Sequence, residues 1–440
     1  MRTVRIGAGA GYSGDRIDPA VELALEGSLS YLVFECLAER TIALAQKARH
    51  MSPAAGYDPL LEDRMNAVLP ICADKKIRII SNMGAANPIA AAERTREIAR
   101  SLGLRGLRVV AVTGDDVLPV IREAQSAAMD GELLGKNLVS ANAYLGAEPI
   151  VEALNAGADV ILTGRVADPS LFLAPLVYEF GWSWQDWNLL GKGTVVGHLL
   201  ECAGQLTGGY FADPGYKDVP GLARLGFPIA EVAEDGSAIF SKVEGSGGLI
   251  NRATCTEQLL YEIEDPSAYF TPDVVADFSH VSIDEVAPNH VRVWGGRGKP
   301  RPEMLKASVG YQNGYVGEAQ ISYAGPGSFT RARLARDILA ERLKNVDFSE
   351  LRFDFIGVNA VHGEKLSTML CEPYEVRLRV TARADSARSA SLISREVEAL
   401  YTNGPAGGGG VTGSVQETIA VCSTYLSREL VTYEIHHEVS

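Results

Sequence analysis

Five short apolar runs, each ending in glycine or a polar residue, constrain this chain more than any other feature. They are Val4-Arg5-Ile6 before GAGAGYSGD (7–15), Tyr31 to Phe34 before Glu35, Ile77 to Ile80 before Asn82 and Gly84, Val109 to Val112 before Gly114 and Asp115, and Val160 to Thr163 before Gly164, Arg165 and Asp168. Strands so short and so apolar are buried on both faces, as parallel strands covered by crossover helices are. Helix signals stand between them. Asn87 suits a cap with Pro88 in the first turn, Pro149 opens another helix, and Gly157 suits the residue just past its end. The reading is α/β, an N-terminal parallel sheet with helices on both faces. The C-terminal strand ends of such a sheet share one rim, where ligands bind.

At 440 residues the chain exceeds one ordinary core. Residues 1–207 are read as the parallel α/β domain. From 208 the texture turns loop-rich (YFADPGYKDVPGLARLGFP) and then alternates (VVADFSHVSIDEVAPNHVRVW), so 208–345 is read as α+β with antiparallel strands. A helix is expected near 117–129 and another after a capping box at Thr254 to Glu257. Residues 346–440 form a small α+β unit whose stretch TNGPAGGGGVTGS (402–414) reads either as a functional loop, a hinge or lid over the rim, since a glycine run inside a domain needs a reason, or as a long turn. KVEGSGG (242–248), near Arg252, is either an anion-binding loop with Lys242 or a hairpin-like turn. The connector GWSWQDWN (181–188) holds three of the four tryptophans, read as a core or subunit-contact feature. A homo-oligomer is expected.

The net charge of −14 argues against nucleic acid or an anionic membrane surface as partner. Six cysteines without a CxxC pair read as reduced thiols of a cytoplasmic protein. The N-terminus lacks the apolar core of a signal peptide, and no apolar run nears the ~20 residues of a membrane span.

A helix over 194–205 marks the candidate site. At ~100° per residue, Val195, Val196, Leu199, Leu200 and Ala203 share one side, and His198, Glu201, Cys202 and Gln205 the other. The second face has no Lys or Arg, unlike a solvated face, and points to a cleft. His198 and Glu201 are then an acid/base pair, Arg165 a holder for a substrate carboxylate, and Asp168 a fourth catalytic candidate. Cys202 is read as a packed thiol. Gly9, Gly11 and Gly14 fit G-x-G-x-x-G, with Glu35 at the acidic position of a dinucleotide fingerprint. Asp15, Arg16, Asp18 and Pro19 crowd that loop, so a tight strand-to-helix turn is favoured over NAD(P) binding. Asp15 and Asp115, with Glu35 and Asp168, are candidate ligands for a divalent metal.

The segments GYSGDR (11–16), LVFECLAERT (32–41), NMGAANP (82–88), AYLGAEPIVEALNAGADVILTGRVAD (143–168), GHLLECAGQLTGG (197–209), QLLYEIEDPSAYFTPDVVADF (258–278) and GPAGGGG (404–410) resemble the acyclic terpene utilisation (AtuA) family. The resemblance implies a part in bacterial breakdown of citronellol- and geraniol-type terpenes, alongside enzymes handling branched acyl-CoA esters. It carries over no catalytic residue. The expectation is a catabolic lyase, hydratase or isomerase whose partner is a small-molecule carboxylate or acyl-CoA, a branched acid or its CoA ester. The alternative is a non-catalytic subunit of an acyl-CoA-processing complex, which the lack of any G-x-S-x-G, H-E-x-x-H or Walker motif would explain. An NAD(P)-dependent oxidoreductase stands third.

Overall fold

The computed structural model describes residues 2–125, 136–368 and 371–439. Strands β1 (Thr3–Ala10), β2 (Tyr31–Phe34), β3 (Arg78–Ser81), β4 (Arg108–Thr113), β5 (Leu138–Ala143) and β6 (Val160–Thr163) alternate with helices α1 (Asp18–Glu26), α2 (Glu39–Met51), α3 (Leu61–Lys75), α4 (Pro88–Ser101), α5 (Leu118–Gln125) and α6 (Glu148–Asn155). Next come α7 (Ser170–Phe180), α8 (Trp187–Glu201), β7 (Pro228–Ala233), β8 (Ala238–Lys242), α9 (Arg252–Leu260), β9 (Tyr269–Phe270), β10 (Val275–Asp277), β11 (Ser282–Ala287), β12 (His290–Trp294) and β13 (Arg297–Lys299). The chain ends with β14 (Met304–Ala324), α10 (Ser328–Leu343), β15 (Glu350–Ile356), α11 (Gly363–Leu366), β16 (Glu375–Ala384), α12 (Ala387–Asn403), β17 (Gly409–Ser427) and β18 (Glu434–Val439).

Two compact units result, one of residues 1–310 with 421–440 and one of residues 311–420. The first is built on a sheet of order β11-β12-β8-β7-β1-β2-β3-β6-β4-β18. Its centre is parallel, β1 with β2, β2 with β3, β3 with β6 and β6 with β4. Val109 pairs with Val160 and Val112 with Thr163, so these two runs share one sheet as expected. Antiparallel strands extend both edges, β7 against β1 and β18 against β4. Every residue of β2 and of β6 is buried, which is why those runs carry no polar alternation. Helix α7, SLFLAPLVYEF, is apolar nearly all round and sits in the same core.

The second unit pairs β15 with β16 and β16 with the 315–324 part of β14, all antiparallel. Strand β16 alternates buried and half-buried residues along its length, the mark of a sheet with one face on a core. Ile393, Val397 and Leu400 of α12 and Leu339 and Leu343 of α10 complete that core.

The fold class is α/β with a parallel sheet and antiparallel strands, but the units do not follow the boundaries expected at 207 and 345. Strands β7, β8, β11 and β12 join the parallel sheet, and their residues share its core with β1 to β4 and β6. A loop-rich stretch therefore marked a change of strand direction, and no new core begins there. Other local readings shift too. The site helix begins at Trp187, inside the aromatic connector, and ends at Glu201, with a 3-10 turn over Ala203–Gln205. Helix α9 starts at Arg252, capped reciprocally by Asn251 and Thr254 rather than by the Thr254–Glu257 box. Gly409 onward is strand β17. The helix expected near 117–129 is α5, and the positions past 125 lie outside the described residues.

Candidate functional site

A cavity of about 1220 Å³ opens at the C-terminal ends of β1, β2 and β6, walled also by the end of α8 and by residues 261–262, 269–272 and 302–306. It lies wholly within the first unit. Arg165, Asp168, His198 and Glu201 all line it, as do Gly11, Asp15 and Glu35.

Strand β6 delivers Arg165, whose backbone N–H donates to Asp115 Oδ2 at 2.9 Å, and Asn142 Nδ2 donates to the same oxygen at 2.8 Å. The guanidinium is held on three sides. It donates to the Leu37 carbonyl and, at 2.7 Å, to Asp168 Oδ1, and it lies over the Tyr144 ring with its central carbon 4.2 Å from the centroid. Tyr144 in turn donates to Glu39 at 2.9 Å, and Lys306 pairs with the same carboxylate at 2.8 Å.

On α8, His198 Nδ1 and Glu201 Oε1 are 2.9 Å apart, the approach that i, i+3 spacing allows. The imidazole packs against the rings of Tyr269 and Phe278, each centroid 5.4 Å away. Gln258 Nε2 donates to the His198 carbonyl at 3.2 Å. Among the described residues, the buried polar atoms without a hydrogen-bond partner include His198 Nε2, Glu201 Oε2, Gln258 Oε1 and Arg165 Nε. Burial pushes the Glu201 carboxyl up to about 7, with His198 pulling the other way. Glu35 is raised well above the usual carboxylate range by burial and then by Asp168. Burial also raises Asp168, against the pull of Arg165. Burial and the neighbouring Glu201 push the Cys202 thiol up, which keeps it protonated. Two residues of the lining, Tyr210 and Glu262, have φ of +60° and +59°, a conformation non-glycine residues hold only where the surroundings impose it.

The glycine loop does not fit a dinucleotide. A Cβ on Gly9 would sit 2.6 Å from the Phe34 ring, and one on Gly11 2.5 Å from the Cys202 carbonyl carbon, so both glycines serve close packing. Gly14 lies against Tyr12 and off the cavity. The Gly11 N–H already donates to Asp15 Oδ2 at 2.9 Å, and the first turn of α1 presents Asp18. A pyrophosphate needs free amides at a helix start without a carboxylate in the way. Glu35 Oε1 is taken by Asn82 Nδ2 at 2.9 Å and the Leu37 N–H at 2.8 Å, which leaves that oxygen no role on a ribose. The metal reading is corrected as well. Asp115 stands behind Arg165 and off the cavity that Asp15 lines. Among the described residues no three His, Cys, Asp or Glu side chains are placed to hold a metal ion.

Two further expectations resolve locally. Lys242 Nζ donates to the Ser246 carbonyl at 2.6 Å, so it closes the turn of its own segment. Trp182 is in the core, with Trp184 and Trp187 packed against it. The sequence reading missed Tyr144, Glu39, Lys306 and Gln258. Tyr144 follows β5, and the one signal was Ser140 and Asn142 alternating in LVSANA, both buried.

The structure is thus an α/β protein with a polar-ended cavity on the rim of its parallel sheet. Residues 4–437 match the acyclic terpene utilisation family protein AtuA, and the chain belongs to that family. No curated protein matches it. Among the described residues no helix is long and apolar enough to cross a membrane.

Proposed function

We propose that this chain is a catabolic enzyme of the lyase, hydratase or isomerase type, one that moves a proton beside the carbonyl of a branched acyl compound in acyclic terpene utilisation. The observation that carries the reading is the His198–Glu201 pair, buried at the cavity wall with one polar atom of each partner unbonded. A buried polar atom left without a partner costs about 1–3 kcal/mol, and a polar group of the substrate would offset that cost. A carboxyl near 7 can both take and return a proton at neutral pH. Glu201 takes the proton from the carbon next to the carbonyl, and His198, bonded to its other oxygen, steadies the charge change. Arg165 changes role from the sequence expectation. Its guanidinium faces Asp168, the Leu37 carbonyl and the Tyr144 ring, so it positions Asp168 as a second carboxylate. A cytoplasmic site of action belongs to this reading, supported by the six free thiols.

The test is exchange of the α-hydrogens of an isovaleryl N-acetylcysteamine thioester for deuterium in D2O, followed by NMR. Exchange well above buffer, lost by about 100-fold in Glu201→Gln, is the expected result. Wild-type exchange no faster than buffer sinks the proposal.

A further inference from the structure

Charge decides which head group the buried part of this cavity accepts. Glu35 and Glu201 are buried there, with Asp168 half-buried beside Arg165 and Glu262 on the same wall nearer the surface. They act on one another. Asp168 raises the Glu35 carboxyl, Glu262 raises Asp168, and both Asp168 and Glu262 raise Glu201.

The cations of the lining are mostly committed. Arg165 is neutralised by Asp168 at 2.7 Å, and Lys306 by Glu39 at 2.8 Å. Arg16 and Arg40 are solvent-exposed, where water and salt screen them. A free carboxylate reaching the buried part would meet carboxyl groups on several sides and no uncommitted cation. Like charges at such range in a poorly hydrated site oppose binding strongly. Among the unbonded atoms of the lining residues, Arg165 Nε is a donor. The carbonyl oxygen of an ester, thioester or amide, or the oxygen of an alcohol, accepts from that N–H and adds no charge.

We infer that the buried part of the cavity selects an uncharged head group, an ester, thioester, amide or alcohol, and excludes a free carboxylate. This rests on the reading that the cavity holds the substrate, and narrows that substrate to the esterified form of an acid. Of the two ligands the sequence analysis allowed, the acid and its ester, the charges favour the second.

The experiment is a ligand-observed NMR titration of the full chain at pH 8 with hexanamide and hexanoate, which match in size and chain and differ in charge. Hexanamide should bind at least about tenfold more tightly. Asp168→Asn and Glu201→Gln should each narrow that gap by strengthening hexanoate. Hexanoate binding as tightly as hexanamide, a gap unchanged in both variants, or no binding of either ligand overturns the inference. The wild-type comparison stands even if a variant fails to fold. Selectivity for the amide without any thioester proton exchange would retire the proton-transfer reading and leave this one intact.

Discussion

Two buried acid–base pairs of the first unit have the same ingredients and opposite states. Asp58 and Arg64 meet at 3.1 Å with side chains 3% and 0% exposed. Asp58 Oδ1 also accepts the Leu60 N–H at 2.8 Å, and Arg64 Nη2 gathers the carbonyls of Tyr12, Ser13 and Asp15 at 3.3, 2.8 and 3.3 Å. Arg64 leaves Nε unbonded but lines no part of the cavity. His198 and Glu201 meet at 2.9 Å with side chains 1% and 10% exposed, yet each holds back one atom at the cavity wall. In the first pair the one leftover atom lies away from the cavity. In the second pair both leftover atoms belong to residues of the cavity wall, and the two pairs should respond to mutation in different ways.

The largest effect is expected at the first pair. Arg64→Met leaves Asp58 buried without its cation and removes the donor to three carbonyls, and should cost about 3–5 kcal/mol in urea unfolding. A loss below about 1 kcal/mol would break the contrast. Glu201→Gln should act through pH. Folding raises the Glu201 carboxyl from 4.5 to about 7, so the native state binds the extra proton between those values. The wild type therefore loses stability as pH rises from 4.5 to 7, and keeps that penalty above 7. Asp115, raised from 3.8 to about 6, adds a loss of the same sign over its own range. Glu201→Gln should flatten the fall between pH 5 and pH 8 by roughly 2–3 kcal/mol, read by denaturant unfolding at both pH values. An unchanged fall would show that Glu201 does not titrate as its burial implies.

Smaller effects sharpen the second half of the comparison. His198→Gln should keep stability within ~1 kcal/mol while proton exchange into the thioester drops by about 100-fold. Stability and exchange falling together would make His198 a packing residue. Smallest of all, millimolar NAD(P) should leave the melting temperature where it is, because the Gly11 amide is already bonded to Asp15. A clear rise would reinstate the nucleotide reading.

The sequence made the parallel centre of the sheet legible because burial on both faces leaves an unbroken apolar run, and Val160 to Thr163 is such a run and such a strand. The His198–Glu201 pair was legible for a related reason, since i, i+3 spacing on a helix fixes proximity without tertiary knowledge. The contacts of Arg165 were not legible. Whether its guanidinium meets a substrate or Asp168, Leu37 and Tyr144 depends on where β2 and β5 end in space. The glycines of 9–14 left two readings open, with the turn favoured, because close packing against Phe34 and Cys202 demands the same residue as a phosphate cradle does. The boundary at 207 misled because antiparallel strands can join a parallel sheet at its edge, and composition does not record which sheet a strand joins.

Strand β18 has a consequence for how the molecule is made. It pairs residues 434–439 with β4 at 108–113, so the strand that covers this edge is synthesised long after β4 itself. At ribosomal speeds of ~5–20 residues per second, β4 waits roughly 15–65 s for its neighbour. Through that interval its outer row of N–H and C=O groups is uncovered, and an uncovered edge invites pairing with another chain. The nascent protein thus passes through a period in which β18 is the protection it lacks, and a stop codon even a few residues before Glu434 would make that period permanent.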